Sequence, residues 1–114
     1  MLDDLLLGKL AAVEARFEEL SAKLSDPEVL GKPPLMQKLA KEHSDIRELV
    51  DTLRVHRQTV ERVAEARELQ KDPEMRELAR QEEVELAAEQ ERLEERLKFL
   101  LLPKDPNDDK SILL

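Results

Sequence analysis

One uninterrupted helical pattern decides the fold of this chain: residues 35–70 read LMQKLAKEHSDIRELVDTLRVHRQTVERVAEARELQ. This segment contains no proline and no glycine. Its apolar residues recur every seven positions and at intervening helical spacings: Leu39, Ile46, Leu53 and Val60, with Leu49, Val50, Val63 and Ala64. Such a pattern is typical of an amphipathic helix with one apolar stripe. At 1.5 Å per residue, we predict a single helix about 54 Å long.

The residues before this segment predict a first helix over residues 2–24. Its apolar residues alternate spacings of four and three and therefore share one face: Leu6, Leu10, Val13, Phe17, Leu20 and Leu24. Pro27 ends this helix, because the residue before a proline avoids the helical region. Asp26 can cap a short helical turn that has Pro27 at its first position. Gly31 and the pair Pro33-Pro34 then predict a loop before the long helix.

A third helix is predicted from Asp72-Pro73-Glu74, which repeats the stop-and-cap signal of Asp26-Pro27-Glu28. Its apolar stripe consists of Ala79, Leu86, Leu93 and Leu100, joined by Met75, Leu78 and Leu97. Because the turn before it is short, the second and third long helices should form an antiparallel hairpin. A hairpin buries only one narrow stripe per helix, so the first helix must cover it. We therefore predict an all-α fold, an elongated three-helix antiparallel bundle over residues 1–102.

Two prolines end the third helical pattern, in the stretch LLPKDP at residues 101–106. An apolar run, Ser111-Ile112-Leu113-Leu114, follows shortly after them. Such a run after a turn is typical of the beginning of a strand or of another domain. We predict that residues 103–114 are a linker and the start of a missing following domain, and that the chain is the front part of a larger protein.

The composition excludes several classes of function. Charged residues make up 40% of the chain, aromatic residues 2%, and there is no cysteine. These values favour long solvated helices over a deep ligand cavity, and they exclude disulfides and thiolate chemistry. No apolar run approaches the roughly 20 residues of a membrane span, and none resembles a signal peptide. We therefore expect a soluble cytoplasmic protein without a membrane partner.

Candidate contacts with an anionic partner lie in the middle of the chain. Residues 32–67 carry 8 basic and 6 acidic side chains, a local charge of +2 in a chain whose net charge is −8. The most basic surface that this segment offers consists of Arg47, Arg54, Arg57, Arg62 and Arg67, of which the first four are the candidate contacts. Acidic residues on the same helix compete for these arginines by intrahelical pairing: Glu48, Asp51, Glu61 and Glu65.

The remaining polar residues indicate packing and solvation, not catalysis. His43 and His56 share one predicted helix with no carboxylate cluster beside both, so we expect them at the flank or seam of the bundle. The glutamates of residues 82–95 are spread around a solvated helix, whereas acid–base catalysis needs carboxylates fixed in a cleft. The pairs Glu19–Lys23 and Glu94–Lys98 have the favourable i,i+4 order and should each add about 0.2–0.5 kcal/mol. We predict no catalytic residue, no metal and no cofactor.

Two stretches at the third helix and its exit resemble a known family. They are Asp72-Pro73-Glu74-Met75-Arg76-Glu77-Leu78-Ala79 and Leu100-Leu101-Leu102-Pro103-Lys104-Asp105-Pro106-Asn107-Asp108-Asp109-Lys110. Together with Leu24-Ser25-Asp26-Pro27-Glu28-Val29, they resemble the amino-terminal domain of the bacterial class I peptide chain release factors, of the release factor 1 type and not of type 2. The resemblance covers essentially the whole chain.

This resemblance implies a part in translation termination. A complete factor of the family reads UAA or UAG and triggers hydrolysis of peptidyl-tRNA through a Gly-Gly-Gln motif. Neither that motif nor the codon-reading Pro-x-Thr tripeptide occurs in this sequence. The resemblance therefore implies a non-catalytic domain that docks on the ribosome, at the stalk base of the large subunit. The arginines named above are then its candidate ribosome contacts.

Three alternatives stay open from the residues alone. The first is an RNA-binding helical arm like that of a seryl-tRNA synthetase, in which Arg54 and Arg57 would bind RNA. The second is a small helical enzyme of the chorismate mutase type, which the inward stripes of Leu, Val and Ile disfavour. The third is a coiled coil that associates with a second copy of itself through an exposed seam.

Overall fold

Four α-helices account for most of the residues 2–102 that the computed structural model describes. They are α1 (Asp4–Leu24), α2 (Pro27–Leu30), α3 (Pro33–Leu69) and α4 (Arg76–Leu101). Since this range contains no strand, the all-α prediction is confirmed. The predicted linker and domain start at residues 103–114 lie outside the described residues. Across residues 2–102, no helix combines the length and the apolar character that crossing a membrane requires.

Aspartate caps start the first two helices. The Asp3 side chain accepts a hydrogen bond from the Leu6 amide at 2.8 Å, and Asp26 accepts one from the Glu28 amide at 2.9 Å. Both carboxylates satisfy amides that the first turn of a helix leaves unpaired. Pro27 occupies the first turn of α2, as predicted for a short turn between the longer helices. The predicted break is confirmed, and α1 begins two residues later than expected.

The start of α4 differs from the sequence prediction. The Asp72 side chain accepts a hydrogen bond from the Glu74 amide at 3.0 Å, as a cap does. The segment that it caps is a turn, however, and not an α-helix. The Met75 amide donates to the Asp72 carbonyl at 3.0 Å, and the first α-helical bond runs from the Ala79 amide to the Met75 carbonyl at 2.8 Å. The chain must reverse direction here, so the residues after Asp72 form that reversal and α4 begins only at Arg76.

α1 packs antiparallel against the first half of α3. Arg16, in the middle of α1, pairs with Glu42 near the start of α3, whereas Glu14, nearer the start of α1, pairs with Arg57 farther along α3. The core of this contact joins α1, α2 and α3 through Leu20, Val29 and Leu39. These three helices therefore enclose one end of the molecule.

α4 packs antiparallel against the second half of α3. Arg67 of α3 pairs with Glu83 early in α4, and Glu48 of α3 pairs with Arg96 near the end of α4. Towards the hairpin turn, the buried residues are Val63, Ala66 and Leu86. The predicted hairpin is thus present, and α3 is the helix that both neighbours share.

All three long helices meet only in the middle of the molecule. The core cluster there consists of Leu10, Leu49, Val50, Leu53 and Leu97. Because α1 and α4 extend from this point in different directions along α3, the structure measures 61 × 43 × 22 Å. Its radius of gyration is 19.3 Å, whereas a compact domain of 100 residues has about 13 Å. The predicted elongated bundle is confirmed, with three-helix packing confined to its centre.

Two residues of the predicted apolar stripes lie at the surface. Val60 is 39% exposed, because it follows the point at which α1 stops covering α3. Leu78, in the first turn of α4, is 62% exposed. The buried positions on α3 instead include His56 and Thr59. A strict seven-residue repeat therefore moves away from the seam along the helix, as the helical period of 3.6 residues requires.

Candidate docking surfaces

Two of the four candidate arginines are held by α1. Arg57 Nη1 donates to Glu14 at 2.8 Å, and Arg54 Nε approaches the same carboxylate at 3.4 Å. Arg54 also pairs with Glu18, and its guanidinium lies 5.6 Å from the centre of the Phe17 ring. The hydrogen bond from Arg57 is the main cause that holds the pKa of Glu14 below its usual value. Arg54 and Arg57 therefore join α1 to α3.

The other two candidate arginines remain available to a partner. Arg47 has a side chain that is 71% exposed and a loose ion pair with Asp51, at 3.8 Å. Arg62 makes no ion pair within residues 2–102 and lines a shallow depression between α3 and α4. An exposed guanidinium with a weak partner or none can exchange that partner for a phosphate at little cost.

The four arginines do not form one continuous patch. Successive residues of an α-helix are rotated by about 100°, so Arg47 and Arg54 lie almost in line, and Arg57 and Arg62 lie about 140° apart. Arg57 and Arg62, the two of the four that lie farthest apart around the helix, therefore point to opposite sides of α3. The structure thus separates a pair that stabilises the fold from a pair, Arg47 and Arg62, that stays exposed.

The interface between α1 and α3 contains further polar contacts that the sequence prediction missed. Arg16 donates two hydrogen bonds to Glu42, at 2.6 and 2.8 Å, and lowers the pKa of that carboxyl. The Phe17 and His43 rings stack with their centres 4.2 Å apart, and His43 Nε2 lies 2.9 Å from the Ser21 hydroxyl. His43 therefore packs at the flank of the bundle, as predicted.

A buried polar cluster lies in the seam between α3 and α4. His56 and Glu94 are each 7% exposed, and His56 Nε2 lies 3.0 Å from a Glu94 carboxylate oxygen. Gln90 donates to the same oxygen at 3.0 Å. Burial raises the pKa of Glu94, but the hydrogen bonds from His56 and Gln90 outweigh burial, so the net pKa is lower than usual. The prediction that His56 lies at the seam is confirmed.

Of the two predicted surface ion pairs, the first is present, and in the second the lysine pairs with a neighbouring glutamate. Lys23 pairs with Glu19 at 3.0 Å, as the i,i+4 spacing predicts. Lys98, however, pairs with Glu95 at 3.5 Å, because Glu94 points into the seam with α3. As for metal ligation, residues 2–102 bring no three histidine, aspartate or glutamate side chains into an arrangement that could hold an ion.

The outer face of α4 is a second surface that sequence reasoning missed. Val84 is 66% exposed and lies in a shallow depression lined also by Glu77, Arg80, Gln81 and Glu85. Leu78 is exposed in the turn before it. Val84 falls outside the seven-residue stripe, which was the one available sign that it faces solvent. This surface is acidic with apolar residues in it, in contrast to the basic pair on α3.

Comparison with known proteins covers almost the whole chain. Residues 13–114 match the PCRF domain. The chain is 46% identical over 109 residues to "Peptide chain release factor 1" of Geotalea uraniireducens and 46% identical over 112 residues to that of Bacillus subtilis. It is 43% identical over 112 residues to that of Lysinibacillus sphaericus.

These alignments cover 96% of this chain but 31–32% of each relative, so the chain spans about a third of the length of the curated relatives that it matches. No solved structure matches the chain. The resemblance found at the third helix and its exit is thus confirmed over the full length of the sequence. The chain belongs to the PCRF-domain family, and it is similar along its length to peptide chain release factor 1.

Proposed function

We propose that this chain is the ribosome-docking front domain of a translation-termination factor and is not itself an enzyme. The observation that carries the proposal is its 46% identity to a peptide chain release factor 1 over 96% of its length. In the complete protein, parts that follow this chain would read UAA or UAG and release the peptide. The site of action is the cytoplasm, where translation takes place.

The shape and charge of the domain support docking through its outer surfaces. On α3, Arg47 and Arg62 are exposed and suit phosphate groups of ribosomal RNA. On α4, the acidic face around Leu78 and Val84 suits a basic protein surface with apolar residues. A site with both ribosomal RNA and protein, such as the stalk base of the large subunit, fits this combination. One small acidic domain supplies few contacts, so its binding should be weak without the complete factor.

The test is ribosome binding by the complete factor with the charge of the exposed arginines reversed. We expect the double variant Arg47→Glu/Arg62→Glu to weaken association and to flatten its salt dependence, because two phosphate contacts are lost. Lys9→Glu, an equal change per residue at an exposed position of α1 outside both proposed surfaces, is the matched control and should not flatten the salt dependence. Equal salt slopes for all three proteins would exclude Arg47 and Arg62 as phosphate contacts.

The same experiment separates the proposal from its alternatives. An RNA-binding arm would lose RNA affinity when Arg54 and Arg57 are replaced, but these residues also join α1 to α3, so helix content must be measured alongside. Self-association would appear as concentration-dependent sedimentation of the isolated chain. If the complete factor releases peptide normally without residues 1–102, the docking proposal is wrong.

A further inference from the structure

Two large apolar side chains are exposed at the end of α4. Phe99 is 57% exposed and Leu102 is 64% exposed. Phe99 is one of only two phenylalanines in the chain, and the other, Phe17, stacks on His43. The Arg96 guanidinium lies 5.3 Å from the centre of the Phe99 ring, and more than half of the side chain stays exposed despite this contact.

Phe99 and Leu102 face away from the apolar core and are not partly exposed members of it. Leu97 is fully buried, and Leu100 and Leu101 pack against the central cluster from the same turn. At about 100° per residue, Phe99 lies about 160° around the helix from Leu97, on the opposite side, and Leu102 is the first residue after the helix. We call Phe99 and Leu102 the exit patch, because the chain leaves α4 beside them.

We propose that the exit patch is the contact surface for the following part of the same protein, which begins with Ile112-Leu113-Leu114. Curated relatives are about three times as long as the stretch that this chain matches, so such a part exists in the complete factors. Nine residues lie between Leu102 and Ile112, and the ten steps from one to the other span at most about 36 Å when fully extended. An apolar segment on so short a tether stays at a high effective concentration beside the exit patch.

Charge also favours this occupant. The chain between the patch and the apolar run contains three aspartates and two lysines, a net charge of −1. The exit patch is flanked on α4 by two cations, Arg96 and Lys98, whose partners Glu48 and Glu95 are exposed and can be exchanged at little cost. Acidic residues of the tether can therefore lie beside basic residues of the helix while the apolar side chains meet. The acidic outer face around Val84 offers no such match to the same segment.

The first experiment is hydroxyl-radical footprinting read by mass spectrometry, on the 114-residue chain and on the complete factor, without ribosomes. We expect oxidation of Phe99 and Leu102 to fall at least threefold in the complete factor. Leu78 and Val84 are as exposed as the exit patch and serve as internal controls whose oxidation should not change. Equal oxidation of Phe99 in the two proteins would overturn the proposal.

Varying the protein concentration distinguishes the proposed occupant of the exit patch from a second copy of the chain. If another copy of the chain covered the exit patch, protection of Phe99 would already appear in the 114-residue chain and would rise with its concentration. That outcome would also overturn the proposal. Because ribosomes are absent from the experiment, its result is independent of whether the domain docks on the stalk base.

The second experiment measures the consequence for the complete factor. We expect Phe99→Ala to accelerate tryptic cleavage after Lys104 and Lys110 severalfold, because the tether is no longer held. Val84→Ala removes an equally exposed apolar side chain elsewhere on α4 and should leave the cleavage rate unchanged. Phe99→Leu keeps an apolar contact and should restore most of the resistance. Identical cleavage of all four proteins would contradict the contact.

Discussion

The two halves of α3 are held by interfaces of different kinds. Against α1, α3 combines a large apolar contact at Leu20, which is fully buried, with the two hydrogen bonds between Arg16 and Glu42. Against the early part of α4, the buried cluster contains only Val63, Ala66 and Leu86. Both interfaces are cross-linked by an ion pair, since Arg67 of α3 pairs with Glu83 of α4, but the apolar cluster against the early part of α4 has smaller side chains on α3.

This difference shows where the molecule should open first. Apolar burial stabilises a fold by about 25 cal/mol per Å², so the cluster of Val63, Ala66 and Leu86 contributes less than the cluster of Leu20, Val29 and Leu39. Local unfolding begins where buried apolar contacts are few. The hairpin turn and the adjacent ends of α3 and α4 are therefore the part of the domain that should exchange its amide hydrogens fastest.

The largest predicted effect comes from the centre, where all three long helices meet. Leu97→Ala should lower the free energy of unfolding by about 3–5 kcal/mol, because it leaves a cavity that α1, α3 and α4 share. Leu86→Ala removes the same groups from the seam near the hairpin turn and should cost about 2 kcal/mol, since fewer atoms surround the side chain. Urea denaturation of both variants measures the difference. Equal losses would mean that the two regions are equally well packed.

The next effect concerns the buried pair between α3 and α4. Glu94→Ala should lower the free energy of unfolding by about 1–3 kcal/mol, because a buried ring nitrogen of His56 loses its acceptor. A double-mutant cycle with His56→Ala isolates the interaction from the loss of packing. We expect the double variant to be more stable than the sum of the single changes predicts. An additive result would show that the pair contributes no coupling.

A smaller effect on the stability of the fold is expected at acidic pH. Hydrogen bonds from Arg57 and Arg16 are the main causes that lower the pKa values of Glu14 and Glu42 below 4.5. Their contribution to stability is thus complete above the unfolded pKa and is lost as the pH falls through the lower, folded pKa. Stability should decline below about pH 4.5, and the distal seam should share in the decline, because the hydrogen bond from Arg67 lowers the pKa of Glu83 in the same way.

Thermal unfolding between pH 3 and pH 7 measures this decline. Glu42→Gln should flatten it by removing one of the titrating groups. Glu77→Gln, an exposed change on the outer face of α4, is the control and should keep the slope of the parent protein. A slope that Glu42→Gln leaves unchanged would show that this ion pair adds nothing to folding.

The smallest effect is expected on the outer face of α4. Val84→Ala should change the free energy of unfolding by no more than about 0.5 kcal/mol, since the side chain is 66% exposed. Urea denaturation provides the measurement. A larger loss would indicate that Val84 is buried in solution, for example against a second copy of the chain.

Sequence patterns predicted the helices better than their ends. Asp26-Pro27 and Asp72-Pro73 give the same local signal, and both lie where the chain reverses between antiparallel helices, yet only the first starts a helical turn. The signal fixes an aspartate cap in both places. Whether α-helix follows depends on how the connecting residues pack against the long helices, as Val29 of α2 does, which is a tertiary property and is absent from a window of a few residues.

The predicted anion contacts show the same limit for the candidate site. The sequence offered Glu48, Asp51, Glu61 and Glu65 as partners for the arginines, because they are close along the chain. Arg54 and Arg57 instead pair with Glu14, some forty residues away. Interhelical partners follow from packing, so only the structure could divide the four arginines into a structural pair and an exposed pair.

The length of α3 has a mechanical consequence. Its 37 residues form a rod of about 55 Å, fastened to α1 near one end and carrying the hairpin turn at the other. A tilt of only about 5° at the fastened end would displace the far end by about 5 Å, roughly one helical turn. Small adjustments where α1 meets the beginning of α3 would thus be amplified at the tip that carries the hairpin turn.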